Sequence, residues 1–222
     1  MAGWPVRTPK QRLTAPLRGY KLAYAMVSAD GTSAGFSGVT LGQGMVYGLV
    51  AEATCAQGGR HKSPSRWCDC GFYCLHALTD AQALACDPGY RGAVLVDVAA
   101  SGRFLRYERG LRYARQRISR VRVGRCGCGY PATLFVDSGT GSVGWRRLAA
   151  ACAACAGPRP ALPLAVFSRL LDGVPVVADE TDSVLEQVAD QELVPVLTAE
   201  IALLQARLDE VQRQLDRLAN RH

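Results

Sequence analysis

The chain has 222 residues, of which 49% are hydrophobic, and its formal net charge is +7. This composition allows a packed core and argues against global disorder. The first twenty residues contain no apolar run long enough for a secretory signal, and no stretch reaches the eighteen apolar residues of a membrane span. We therefore expect a cytoplasmic protein with no membrane partner.

Patterns along the chain predict an α+β fold, a small β-rich zinc-stapled module followed by a C-terminal coiled-coil helix. Alternation around Lys21–Val27 and the β-branched run at 92–99 indicate strands, whereas 78–86 indicates a short helix. The predicted segments are a flexible basic arm (1–18), a β-rich domain (19–125), a zinc-ribbon-like segment (126–157), a proline-containing linker with an acidic helical segment (158–192) and a coiled coil (193–222).

The nine cysteines are the main chemical signal in the sequence. An odd number cannot pair completely into disulfides within one chain. In a reducing compartment, such a set more often binds metal than forms disulfides. We therefore looked for groups of four ligands with the spacing of structural zinc sites.

The first group contains Cys55, His61, Cys68 and Cys70, all within sixteen residues. Three thiolates and one imidazole complete a tetrahedral zinc site and leave no open position, which is typical of structural zinc. Nearby Cys74 or His76 could replace one of the four ligands. A nucleophilic Cys74/His76 pair is the enzymatic alternative, but no acidic group that would orient the histidine is evident.

Part of this group also resembles a known sequence pattern. His61-Lys-Ser-Pro and Cys68-Asp-Cys-Gly-Phe-Tyr, with Cys55 upstream and Glu108-Arg-Gly-Leu-Arg downstream, are similar to a motif of uncharacterised, mostly actinobacterial proteins. The resemblance covers about residues 19–123. It implies that Cys55, His61, Cys68 and Cys70 form the ligand set and that Cys74 is dispensable, and it implies no activity.

The second group consists of two cysteine pairs, Cys126 with Cys128 and Cys152 with Cys155. The segment between them reads as strand, turn and strand, so a hairpin would bring the pairs together as in a zinc ribbon. The first pair is C-x-C rather than the usual C-x-x-C. A redox pair or core cysteines are the alternatives. We predict two zinc ions per chain.

An arginine-rich stretch of 23 residues runs from Arg103 to Arg125 and holds nine arginines. Arginine suits bidentate contacts with phosphate, so this stretch predicts nucleic-acid binding. A solvated face paired with the acidic segment at 172–192 is the alternative. Strands around a short turn are favoured over a helix, because Gly110 interrupts the helical pattern. The candidate phosphate contacts are Arg103, Arg106, Arg109, Arg112, Arg115, Arg117, Arg120 and Arg122.

The last thirty residues carry a two-in-seven apolar pattern over nearly four heptads. This pattern predicts a helix that self-associates through its apolar seam. The seam residues are Val194, Leu197, Ile201, Leu204, Leu208, Val211, Leu215 and Leu218.

These observations favour a non-enzymatic, dimeric zinc-finger protein that binds DNA or another nucleic acid, plausibly as a regulator. The alternative is a zinc-stabilised adaptor whose basic face meets an acidic protein partner. An enzyme is disfavoured, because both ligand sets are closed and no base or nucleophile stands out.

Overall fold

The computed structural model describes residues 15–40, 44–55 and 57–178. Eleven strands of this part of the chain belong to one sheet. The strands are β1 (Leu17–Ser28), β2 (Ala34–Gly38), β3 (Val46–Tyr47), β4 (Val50–Glu52), β5 (Phe72–Leu75), β6 (Val94–Arg106), β7 (Gly110–Val123), β8 (Leu134–Ser142), β9 (Trp145–Ala151), β10 (Ala161–Pro163) and β11 (Val176–Ala178). The α-helices are α1 (Leu78–Ala85), α2 (Ala153–Ala156) and α3 (Leu164–Leu170), and a 3-10 helix covers Pro88–Tyr90.

Four strands close into a ring. β1 pairs with β6, β6 with β7, β7 with β5, and β5 with β1, and all four pairings are antiparallel. The interior side chains of the ring come from alternate positions, as the period of a strand requires. Phe36, Tyr113, Ile118, Phe135 and Phe167 are almost completely buried in the main core. Ring closure protects strand edges that would otherwise be open to other chains.

Strand β7 pairs with other strands along both of its edges. Its first edge pairs with β6 along most of its length, and its second edge receives β5, then β4, then β11. Only the β11 pairing is parallel. The interpretation of the arginine-rich stretch as strands around a turn is confirmed, because β6 and β7 form a hairpin across residues 107–109.

The α+β prediction is wrong, because the described chain is mostly β-structure in a single, largely antiparallel sheet. The predicted zinc-ribbon hairpin is β8 and β9, and it extends the sheet through the pairing of β9 with β1. Part of the predicted linker also joins the sheet, since β10 pairs with β8 and β11 with β7. Short apolar runs between glycines and prolines gave too weak a signal for these small strands.

The predicted coiled coil lies outside the described residues, so the structure offers no support for that helix. Its eight seam positions, from Val194 to Leu218, are likewise outside the described part of the chain. Among the helices that the structure describes, none combines the length and the apolar character needed to cross a membrane.

Candidate metal centres

The first centre forms where β4 and β5 meet the same edge of β7. Cys55 follows β4, and Cys68 and Cys70 immediately precede β5. Because β4 and β5 both pair with β7, their adjoining chain segments are held close together. His61 lies in the connecting loop. The sulfurs of Cys55 and Cys68 are 3.6 Å apart, and Nε2 of His61 lies 3.2 Å from the sulfur of Cys70.

These distances fit a tetrahedral zinc ion. Bonds of about 2.3 Å to sulfur place the corners of a tetrahedron roughly 3.7 Å apart, with slightly shorter edges to nitrogen. All four ligand atoms of this group lie within 4.8 Å of one another. The first group therefore has the ligand types, the number and the spacing of a metal site, as the sequence predicts.

A buried arginine donates hydrogen bonds to the loop that contains the candidate ligands of this centre. Only 4% of the Arg112 side chain is exposed. Its Nη1 donates to the carbonyl of Cys68 at 2.6 Å and to the hydroxyl of Tyr73 at 3.1 Å, while Nη2 donates to the carbonyl of Ser65 at 2.8 Å. Asp69 completes an ion pair at 3.5 Å. Arg112 thus fixes the backbone between the candidate metal ligands, and it is buried because this loop covers its side chain.

A glycine allows the turn that carries Cys70 to pack against this arginine. Gly71 has φ of +121°, a conformation that favours glycine. A Cβ atom there would lie 2.9 Å from Cγ of Arg112 and 3.1 Å from Cβ of Pro64. The Cys-x-Cys-Gly order therefore has a steric cause, since the chain must pass close to Arg112 directly after the last ligand.

The second centre joins the end of β7 to the end of β9. Cys126 and Cys128 follow β7, and Cys152 and Cys155 lie at the start of α2. The sulfurs of Cys128 and Cys152 are 3.6 Å apart, and the four sulfurs all lie within 4.8 Å of one another. The hairpin of β8 and β9 brings the two pairs together, as the sequence predicts. These four residues also fit a tetrahedral metal site.

Local hydrogen bonds shape this second centre. The N–H of Gly129 donates to the carbonyl of Cys126 at 2.8 Å, which closes a tight turn around the first pair. The N–H of Cys155 donates to the sulfur of Cys152 at 3.5 Å. Beneath it lies a small apolar cluster separate from the main core, formed by Cys126, Val136, Ala151 and Ala156.

Two thiols of the second centre have pKa values that are shifted in opposite directions. Hydrogen bonds from the backbone N–H groups of Cys128 and Cys152 lower the pKa of Cys126 to about 6. Hydrogen bonds with the sulfurs of Cys128, Cys126 and Cys152 raise the pKa of Cys155 to about 12. Four crowded sulfurs cannot all be thiolates without a compensating cation. A bound divalent cation would supply that charge and favour deprotonation of every ligand.

The remaining cysteines and His76 lie outside both groups. Cys74 is 4% exposed and packs in the main core, where burial raises the pKa of its thiol to about 11. Cys86 is exposed just after α1, and His76 is exposed after β5. The compact ligand group around Cys55 contains neither Cys74 nor His76. The structure thus brings together the set that the sequence favours.

The eight candidate phosphate contacts are not equivalent. Arg112 is buried, and Arg122 forms a half-buried bidentate pair with Asp97 at 2.9 and 3.0 Å. Arg109 pairs with Asp80 at 2.7 Å, and Arg115 pairs with Glu52 at 3.3 Å.

Three of the eight, Arg106, Arg117 and Arg120, are exposed and form no ion pair with any residue that the structure describes. Arg103 donates to the carbonyl of Lys62 in the first metal loop at 3.2 Å. These four arginines remain available for an external anion.

Sequence reasoning overlooked two exposed aromatic residues at the metal centres. Trp67, which directly precedes Cys68, is 96% exposed. Tyr130, two residues after Cys128, is 70% exposed. Tryptophan is highly buried on average, so the near-complete exposure of Trp67 beside a candidate ligand is unusual. The adjacency of each aromatic residue to a ligand cysteine was visible in the sequence.

Comparisons with protein-family models, with curated proteins and with solved structures find no match to this chain. The resemblance noted above therefore rests on the Cys/His motif itself.

Proposed function

We propose that the protein is a non-enzymatic zinc protein of a reducing compartment that binds nucleic acid. Zinc is the preferred metal, because Cys₃His and Cys₄ sets at these spacings are those of tetrahedral structural zinc. Each set supplies four protein ligands, whereas a catalytic zinc keeps a position for water or substrate. The metal ions would therefore stabilise the conformations of two loops, and side chains on these loops would contact the nucleic acid.

The observation that carries the nucleic-acid proposal is the exposed Trp67 on the first metal loop. Arg60, Lys62 and Arg66 lie in the same loop, and no acidic residue occurs from position 57 to 68. An exposed indole beside cations can stack on an unpaired base while the cations contact phosphates. Stacking requires a fixed platform, and the metal ligands together with Arg112 fix this loop.

A row of arginines on β7 extends this basic surface. The backbone register between β6 and β7 shifts here. Asp97 lies opposite Arg120, and the next β6 residue, Val98, lies opposite Ile118, so Ser119 is an extra residue in β7. This bulge keeps Arg115, Arg117 and Arg120 on the solvent side although their spacing changes from two to three. A row of exposed guanidinium groups on one face of a strand suits a phosphate backbone.

Binding of single strands through Trp67 is tested by a fluorescence and mobility-shift titration. The zinc-loaded protein is titrated with oligo(dT) and with a duplex of equal length at low salt. Trp67→Ala should weaken oligo(dT) binding about 5- to 150-fold, since one stacked base contributes about 1–3 kcal/mol. Most of the tryptophan quenching expected with wild type should also be lost, although Trp4 and Trp145 remain. Val143→Ala removes an exposed apolar side chain from the β8–β9 turn and should change neither signal.

Salt dependence separates phosphate contacts from stacking. The variant Arg106→Ala/Arg117→Ala/Arg120→Ala should flatten the dependence of affinity on salt, by about 0.7 per lost contact with a single strand on a log–log plot. Absence of any shift at low salt with either nucleic acid would refute the proposal. The adaptor alternative would then gain support if the same triple variant lost binding to an acidic protein.

A further inference from the structure

A second type of site is a cavity beside the first metal loop. It has a volume of about 720 Å³ and opens between the β2–β3 segment, β4 and β5. This volume is that of a small-molecule site. Its walls are largely apolar and include six aromatic residues, Tyr20, Tyr47, Phe72, Tyr73, Tyr90 and Tyr107. Residues Asp69, Cys70 and Gly71 of the first metal loop contribute one side of it.

A lysine ammonium group lies against these aromatic walls. Nζ of Lys21 is 4.9 Å from the ring centre of Tyr47 and 4.8 Å from that of Phe72. Its hydrogen bond to Oε1 of Gln116 is long, at 3.4 Å. An ammonium group has three donors, and removing it from water is unfavourable unless these donors are satisfied. Lys21 is half-buried, so only part of this cost applies, and the surrounding rings offset some of it.

The carboxylates that line the cavity are already paired with arginines. Glu52 pairs with Arg115 and Asp69 with Arg112. No carboxylate among the described residues forms an ion pair with Lys21. The cavity thus contains a cation without a matching anion.

Two polar side chains lie near this cation, and neither supplies an anion. Oε1 of Gln116 accepts from Nζ of Lys21 and from the hydroxyl of Tyr113. The hydroxyl of Tyr47, whose ring lies beside Nζ, is buried and has no hydrogen-bond partner among the described residues. Because both side chains keep their donors buried, Lys21 is the donor that a ligand in the cavity would meet.

We propose that this cavity binds a small organic carboxylate with an apolar body of one or two rings. The carboxylate would accept from Nζ of Lys21, while the body packs on the aromatic side chains of the walls. One ammonium group matches one negative charge, whereas phosphate groups are better matched by the arginines of the outer surface. This site is independent of the nucleic-acid proposal.

A matched pair of ligands tests the charge requirement. The zinc-loaded full chain is titrated with 2-naphthoate and with 2-naphthylmethanol, which has nearly the same body without the charge. Wild type should bind one equivalent of naphthoate about tenfold more tightly than the alcohol, because only the carboxylate engages Lys21. Lys21→Met should lose this preference and keep its affinity for the alcohol. Arg169→Met, which removes a cation at an exposed position outside the cavity, should behave as wild type.

A second variant keeps Lys21, so it tests the site even if the Lys21→Met protein does not fold. Met45 lines the cavity and is 47% exposed, so Met45→Glu should fold normally and add a negative charge at the entrance. It should weaken naphthoate binding more than alcohol binding. The proposal is overturned if wild type shows no saturable binding, or binds both ligands equally. It is also overturned if a folded Lys21→Met variant retains the preference for naphthoate.

Discussion

The two metal centres use similar ligand geometry but are built into the fold differently. The first lies in a loop with little regular structure and is attached to the strand ring through Arg112, whose donors reach the carbonyls of Cys68 and Ser65. The second lies at the ends of β7 and β9 above its own small apolar cluster. The first centre therefore depends on the ring as well as on the metal, whereas the second depends mainly on local contacts.

Loss of one metal ligand should show this difference most strongly. Cys70→Ser and Cys128→Ser should each remove one zinc ion, measured by native mass spectrometry. Structural zinc contributes about 10–16 kcal/mol of apparent binding energy, so each loss should unfold the loops that the ion holds. We expect protease cutting throughout residues 55–71 in Cys70→Ser, and cutting confined to 125–133 and 152–160 in Cys128→Ser. Equal global unfolding of both variants would contradict the comparison.

Removal of the buried arginine should damage only the first centre. Arg112→Met leaves two backbone carbonyls of the metal loop without their charged donor. We expect a fall of about 3 kcal/mol in the free energy of unfolding, measured in urea. Zinc affinity should fall at the first centre alone. Arg117→Met on the same strand is the control, because its exposed side chain should change stability by less than about 0.5 kcal/mol.

Two glycines that follow ligand cysteines give a finer comparison. Gly71 and Gly129 both have positive φ, but only at Gly71 would a Cβ atom meet neighbouring atoms. Gly129→Ala should therefore lower the free energy of unfolding by about 1 kcal/mol through backbone strain. Gly71→Ala should have at least twice that effect, because it also displaces Arg112. Equal losses in thermal denaturation would show that the contact with Arg112 is unimportant.

The smallest expected effect concerns the cysteines outside the centres. At pH 8, iodoacetamide should modify Cys86 in the zinc-loaded protein and leave Cys74 intact. Cys86 is exposed, whereas Cys74 is buried and its pKa of about 11 leaves little thiolate at this pH. Mass spectrometry of peptides identifies the modified residue. Modification of Cys74 at a similar rate would place it outside the core.

The sequence predicted local features better than the assembly of the sheet. Candidate metal ligands such as Cys68 and Cys70 are recognisable because the ligands of a structural zinc ion occur at characteristic spacings along a chain. Ring closure depends on β4 and β5, strands of three and four residues, whose pairing with β7 is decided by tertiary contacts. The role of Arg112 was also hidden, since nothing in the spacing of the arginines marks the side chain that the first metal loop covers.

The central claim is that the chain holds two four-ligand zinc centres, and X-ray absorption combined with zinc quantification tests it most directly. We predict two zinc ions per chain, with seven sulfurs and one imidazole nitrogen distributed over the two coordination shells. Zinc–sulfur distances should be about 2.3 Å. Fewer than two ions in the folded protein, iron in place of zinc, or water oxygen in either shell would contradict this account.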